Sequence, residues 1–250
     1  MKLILLRHGE SQWNLENRFT GWKDVSLTET GIAEANFSGN QLLKNNLQVN
    51  SIYTSLLNRA TETTDIVTDI INFPKKNIQY DWRLNERHYG ALQGLNKSET
   101  AKKYGEEQVQ LWRRSYDIPP PFLDQDDKRH PRFNKKFASI KCKLPVGESL
   151  KNVINRLNPF WNEYFTNIKK NFGNHLIVAH SNSLRAIIKL LENITDEDIV
   201  KINIPTGIPL VFEFGHDFNI LDKKYLIDKN TLNLKLDAVA NQGKIKEKNE

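Results

Sequence analysis

Two histidines follow short apolar runs in this 250-residue chain: His8, in Arg7-His8-Gly9-Glu10, and His180, in Ala179-His180-Ser181-Asn182. A neutral imidazole offers a ring lone pair without prior deprotonation, which suits it to accept a phosphoryl group. Arginine suits the other half of such a reaction, because its planar fork matches phosphate oxygens and keeps its charge. Arg7 precedes His8, and Arg59 follows the strand-like segment Ser51 to Ser55. Ser181 and Asn182 would open a helix, whose free N–H groups and positive dipole end favour anions. Glu86, in the polar cluster Leu84-Asn85-Glu86-Arg87-His88-Tyr89-Gly90, is the candidate acid/base. Each group also has a plain structural alternative, a satisfied core histidine or an exposed Glu86–Arg87 pair. Together they describe an anion site containing histidine.

Such a site needs elements that deliver distant residues to one place. Lys2 to Leu6 reads as a buried strand that opens into a loop at Arg7. Ser51 to Ser55 and His175 to Ala179 read as further strands, and Leu210 to Phe214 and Tyr225 to Ile227 as late ones. Helical spacing links Ile32, Ala35, Gly39, Leu42 and Leu43, then Ala60, Thr63, Val67, Ile70 and Ile71, with Pro74 beyond the second set. A helical composition from Glu99 to Trp112 is stopped by Pro119-Pro120-Pro121. Leu150, Val153, Ile154, Leu157, Phe160, Trp161 and Tyr164 form one apolar helical face, which Pro159 is expected to kink, and Leu184 to Leu191 is a shorter apolar helix. The expected architecture is a single α/β domain over residues 1–250. It has three α/β/α layers, a mostly parallel mixed sheet, a basic loop insert at about 115–147 and a mobile tail at about 238–250. In an open sheet of this kind ligands bind beyond the carboxyl ends of the strands, where both histidines fall.

Composition narrows the function further. A 38% hydrophobic content with five Trp, seven Tyr and twelve Phe excludes a disordered chain. The single cysteine, Cys142, excludes an intramolecular disulfide and points to a reducing, cytoplasmic setting. No apolar run approaches the length of a membrane span, so no membrane partner is expected. The segment Arg113 to Lys143 holds nine basic and four acidic residues, which accounts for five of the six net positive charges. Such a segment attracts polyanions or is a solvated loop; no nucleic-acid-binding module accompanies it, and no nucleic-acid partner is expected. The six histidines form no His-x-x-x-His pair and there is no Cys cluster or calcium-loop pattern, so no metal is expected; the lack of a P-loop and of a Gly-x-Ser-x-Gly elbow argues against a P-loop nucleotide enzyme and a serine hydrolase.

Leu6-Arg7-His8-Gly9-Glu10 resembles the signature of the histidine phosphatase superfamily, and Ala179-His180 resembles its second catalytic block. Arg7 to Gly21, Leu84 to Lys97, Gln108 to Arg114 and Asn203 to Pro209 resemble the cofactor-dependent phosphoglycerate mutases. The tail Val239-Ala240-Asn241-Gln242-Gly243-Lys244 does so too, and the likeness runs from residue 2 to about residue 246. The resemblance implies interconversion of 3-phosphoglycerate and 2-phosphoglycerate, small phosphorylated three-carbon acids, with 2,3-bisphosphoglycerate as priming cofactor and no metal. It implies that His8 carries the phosphoryl group, that a protonated His180 stabilises the transferring charge and that Glu86 shuttles protons. Arg7, Arg59 and Asn14 fall on phosphate-binding positions. Thr20, Gly21, Tyr89, Lys97, Arg113, Arg114 and Asn182 match further substrate contacts, and Ser181 stands beside them. Relatives occur as monomers, homodimers or homotetramers.

Three local features separate the chain from the related bisphosphoglycerate mutases: Phe19-Thr20-Gly21-Trp22, Gln93 with Lys97, and Leu184 after Ser183. Simple phosphatases of the superfamily usually lack the Trp112-Arg113-Arg114 block. A catalytically idle phospho-ligand binder would be expected to lose part of the set His8, Arg7, Arg59, Glu86 and His180, all of which is present. One position departs from the family pattern, Ser181 where glycine is usual. A glycine there allows close approach of phosphate to backbone or a positive φ; a serine adds Cβ and a hydroxyl.

Overall fold

The computed structural model describes residues 1–170 and 172–242. Six strands form one sheet: β1 (Lys2–Arg7), β2 (Ser51–Thr54), β3 (Ile78–Tyr80), β4 (Asn174–Ala179), β5 (Leu210–Phe214) and β6 (Ile220–Tyr225). Their order is β3-β2-β4-β1-β5-β6. The first four in that order are parallel, and β5 and β6 are antiparallel additions at one edge. The α-helices among the described residues are α1 (Gln12–Leu15), α2 (Glu29–Lys44), α3 (Asn58–Ile70), α4 (Lys97–Tyr104), α5 (Glu106–Arg114), α6 (Leu150–Lys170), α7 (Ser181–Glu192) and α8 (Lys229–Ala240).

Alternation along the central strands builds the three layers. In β1, Leu3 and Leu5 face the cluster that contains the apolar faces of α6 and α7, while Ile4 and Leu6 face Leu42 of α2 and Val67 of α3. In β4, Ile177 and Ala179 take the first side, and Leu176 and Val178 take the second. Both faces of these strands are buried, which is why they read as continuous apolar runs. The three-layer α/β/α architecture with a mostly parallel mixed sheet is therefore as expected.

Several elements differ from expectation, each for a local reason. The helix expected from Glu99 to Trp112 is two helices, α4 and α5, separated at Gly105, whose φ of 89° suits glycine and little else. The second late strand is Ile220–Tyr225 and not Tyr225 to Ile227. It lies at the sheet edge, largely exposed, and so lacks an apolar pattern. The short edge strand β3 and the helix α8 were not expected at all. On α2 the expected face includes Ile32 and Leu43, which are exposed, whereas Gly31 and Ser38 are buried beside Ala35, Gly39 and Leu42. Pro159 lies inside α6, which continues to Lys170. The basic insert folds back onto the body. Leu123 and Phe137 are buried, the Phe137 ring packs at a tilt against Trp22, and the Lys136 ammonium binds the Asp24 carboxylate and Asn58 Oδ1. Residues 243–250 of the expected mobile tail lie outside the described residues.

Candidate active site

The register of the parallel strands delivers the two histidines to one place. Arg7 of β1 pairs with Ala179 of β4, and the His8 N–H donates to the Ala179 carbonyl at 3.1 Å. His8 and His180 thus leave adjacent strands together, with ring centroids 4.9 Å apart. On the far side of β4, β2 ends in the same direction and brings Ser55 within 2.7 Å of His180 Nε2. Gly9 lets the loop after β1 lie directly on α2: a Cβ there would collide with the Gly31 carbonyl, and a Cβ on Gly31 would collide with the Glu10 carbonyl.

Two hydrogen bonds fix the tautomer of His8. Its Nδ1 is 2.7 Å from the Gly9 carbonyl, which can only accept, so Nδ1 carries the proton. Nε2 accepts from Arg59 Nε at 3.2 Å and therefore holds a lone pair. Burial, with Arg59 and Arg7 beside it, pushes His8 well below the usual histidine range, so the ring is neutral near pH 7. Arg59 is itself tied by its two Nη atoms to the Gly21 and Lys23 carbonyls, and burial pulls it down to about 10.

His180 is fully buried and does not line the cavity; it stands behind it, against His8 and Ser55. Burial, then Arg59, His8 and Arg7, hold it well below the usual range. The charged His180 expected from the sequence is therefore a neutral ring here, because burial disfavours its charge and the arginines around it add to that effect. A dianionic phosphoryl group in contact would act in the opposite sense.

Glu86 is buried and makes no ion pair with the adjacent Arg87 guanidinium. Its Oε1 accepts three N–H bonds, from Arg87 N at 2.7 Å, Asn182 N at 3.2 Å and Asn182 Nδ2 at 3.0 Å. That oxygen is saturated, so a proton taken up by Glu86 belongs on Oε2. Asn182 also accepts from Arg185 Nη1 at 3.0 Å, which orients its amide. The start of α7 thus holds the carboxylate as well as offering its own N–H groups.

Around these groups lies a cavity lined by Arg7, Arg18, Arg59, Lys97, Arg113, Arg114 and Arg185, with Glu86 as the one acidic side chain among the described residues that line it. Asn14, Thr20, Gly21, Tyr89, Ser181 and Asn182 complete the wall, together with Val239 and Gln242. Burial holds Lys97 well below its ordinary value, reinforced by Arg113 and Arg7, and lowers Arg185 to about 9. Arg7 Nε and Arg185 Nε are buried N–H groups with no partner in the protein. Arg113 donates to the Gln242 carbonyl, and Arg114 donates weakly to the Ile202 and Val239 carbonyls. Such a concentration of donors against one carboxylate is suited to a ligand bearing several negative charges. Ser181, the first residue of α7, is not among the residues with positive φ, so its backbone makes no demand for glycine.

Thirteen of the fourteen expected site residues line this cavity, and His180 stands directly behind it. Arg18, Arg185 and Ser55 were missed. Arg185 carried a signal, a lone arginine within the apolar run Leu184 to Ile188, where it is almost wholly buried. Arg18 and Ser55 carried none. Among the described residues, no group of three His, Cys, Asp or Glu side chains is placed to hold a metal ion, and no helix is long and apolar enough to cross a membrane.

Comparison with known proteins identifies the family. The model of the histidine phosphatase superfamily (branch 1) matches residues 3–126 and 121–224. A 2,3-bisphosphoglycerate-dependent phosphoglycerate mutase of Lachnoclostridium phytofermentans is 50% identical, covering 98% of this chain and 99% of that protein. The enzyme of the same name from Treponema denticola is 49% identical over 98% and 100%. Among solved structures, a mycobacterial glucosyl-3-phosphoglycerate phosphatase superposes with a TM-score of 0.68 at 20% identity, covering 91% of this chain and 98% of that one. The alpha-ribazole phosphatase of Shigella flexneri superposes with a TM-score of 0.64 at 21% identity, covering 89% and 95%. Those two likenesses bear on the fold; the near-full-length identities bear on the family. By these near-full-length matches, this chain belongs to the histidine phosphatase superfamily and, within it, to the family of 2,3-bisphosphoglycerate-dependent phosphoglycerate mutases.

Proposed function

We propose that this protein interconverts 3-phosphoglycerate and 2-phosphoglycerate in the cytoplasm, with His8 accepting and returning the phosphoryl group. The observation that carries the reading is the neutral His8, its one lone pair at Nε2 held beside Arg59 on the wall of a cavity with seven cationic side chains. The cavity also fits the priming cofactor named in the relatives. Unpartnered buried N–H groups on Arg7 and Arg185, and the guanidinium and ammonium set as a whole, match phosphate and carboxylate oxygens. When bound, 2,3-bisphosphoglycerate supplies the phosphoryl group that loads His8.

The residues divide the work. His8 Nε2 attacks phosphorus, and the bonding pair leaves with the substrate oxygen, which takes a proton from Glu86 Oε2. In the reverse direction Glu86 removes that proton from the hydroxyl that receives the group. Arg7 and Arg59 neutralise the equatorial oxygens during transfer, and His180, backed by Ser55, borders the same group from behind. Lys97, Arg113 and Arg114 are the candidates for the carboxylate and the second phosphate. Asn14, Thr20, Gly21, Tyr89, Ser181 and Asn182 would set the register of a three-carbon acid.

The decisive measurement is the initial rate of 3-phosphoglycerate conversion, in chelator, with and without trace 2,3-bisphosphoglycerate. The expected result is a rate that rises with the cofactor and disappears in His8→Ala. Release of free phosphate without isomerisation would overturn the mutase reading in favour of a phosphatase.

A further inference from the structure

Behind Glu86 lies a second carboxylate with no contact to the cavity. Glu148 and Arg156 form a bidentate ion pair, Nε to Oε1 at 2.8 Å and Nη2 to Oε2 at 3.1 Å, with side chains 5% and 6% exposed. Such a pair costs desolvation on both sides, so fold stability alone is a weak reason for it. Its remaining hydrogen bonds all go to one short segment. Arg156 Nη1 donates to the Arg83 carbonyl at 2.7 Å and the Asn85 carbonyl at 3.2 Å, and Nη2 donates to the Asn85 and Glu86 carbonyls at 3.2 and 3.3 Å. Glu148 Oε2 accepts from the His88 N–H at 2.8 Å, and the Glu148 N–H donates to the His88 carbonyl at 2.8 Å. Trp22 Nε1 adds a bond to the Glu86 carbonyl at 2.6 Å.

The 3-10 turn Trp82–Leu84 is followed by irregular chain to His88, and most carbonyls of this segment lack the partners that a helix or ladder would give. The fork of Arg156 supplies those partners on either side of Glu86, and Glu148 ties down the residue two positions on. We infer that the Glu148–Arg156 pair is a positioning device for the acid/base, fixing the backbone from which Glu86 presents Oε2. The inference rests on the mutase reading above. Its chemistry is specific, because only the guanidinium fork can span three carbonyls while remaining bidentate to Glu148. A lysine keeps the charge and loses the span.

The test separates positioning of a proton donor from general loss of structure. Two rates are compared in Arg156→Lys and the parent enzyme. One is steady-state isomerisation of 3-phosphoglycerate, in which the departing alkoxide needs a proton. The other is single-turnover phosphorylation of His8 by an activated aryl phosphate, whose leaving group needs none. Positioning predicts that isomerisation kcat falls roughly tenfold or more, with KM little changed, while the aryl phosphate labels His8 at close to the parent rate. A parallel fall in both rates, or no fall in either, overturns the inference. Should Arg156→Lys fail to fold, Glu148→Gln makes the same comparison with the fork retained. A parent enzyme that labels His8 yet does not isomerise 3-phosphoglycerate would defeat the mutase reading itself, and the inference with it.

Discussion

His8, His180 and His88 are all buried and all pushed below the ordinary histidine range, His88 to about 3. In the unfolded chain each takes up a proton near pH 6.5, while in the folded protein each stays neutral, so the unfolded state binds more protons below that pH. Stability is therefore complete above pH 6.5 and is lost as the pH falls, by up to roughly 4 kcal/mol for the three groups between pH 7 and 5.5. Urea unfolding at the two pH values checks this; equal midpoints would contradict it. Ser181 permits a second prediction at this scale. Because its backbone does not need glycine, Ser181→Gly should change turnover by less than tenfold, under about 1.4 kcal/mol of barrier. The chemistry-bearing residues were the most legible part of the sequence, since His8, Glu86 and Arg59 announce themselves by type. Their states were not: the neutral His180 and two of the three hydrogen bonds to Glu86 Oε1 depend on residues more than 90 positions away.

At the scale of elements, legibility followed burial. Strands β1 and β4, buried on both faces, were found almost to the residue, whereas the exposed edge strand β6 and the short β3 carried too little pattern. The division of α4 from α5 hung on one backbone angle at Gly105, which composition does not encode. The contact between the β1–α1 loop and α2 belongs here too. Gly9 and Gly31 face each other with no room for a Cβ on either, and the Thr28 hydroxyl at the α2 N-cap accepts from the Gly31 N–H and donates to Glu10 Oε1. Gly31→Ala should therefore cost about 3 kcal/mol in urea unfolding, even though helix propensity alone favours alanine by about 1 kcal/mol, and should also displace His8 enough to lower turnover. An alanine variant as stable as the parent would show that the two segments can separate.

For the whole molecule, the relevant fact is that the chain closes on itself at the cavity. The end of α8 places the Val239 carbonyl beside Arg114, and the turn that follows places the Gln242 carbonyl on Arg113. The insert covers another side, anchored by Lys136 and Phe137. Removing residues 241–250 should leave His8 able to accept a phosphoryl group while admitting water to it. Free phosphate release should then rise several-fold relative to isomerisation, measured on the same preparation. An unchanged ratio would show that this end of the chain does not shield the site. The contacts of this closure were not visible in the sequence, where the insert reads only as a basic loop and the tail is marked only by its likeness to the family's mobile end.

The cavity's charge has a consequence beyond catalysis. Seven cationic side chains stand around a single carboxylate among the described residues; the lowered values of Arg59, Arg185 and Lys97 register first the burial of these groups and, for Arg185 and Lys97, the repulsion of neighbouring arginines as well. The folded protein is in this respect spring-loaded, with part of its cohesive energy withheld until an anion arrives. Any small multivalent anion that fills the space should release it. Inorganic sulfate at a hundred times its dissociation constant would raise the unfolding free energy by about 2.7 kcal/mol by mass action. The same repulsion that tunes the site for a phosphorylated acid ties the durability of the fold to the supply of its own ligands.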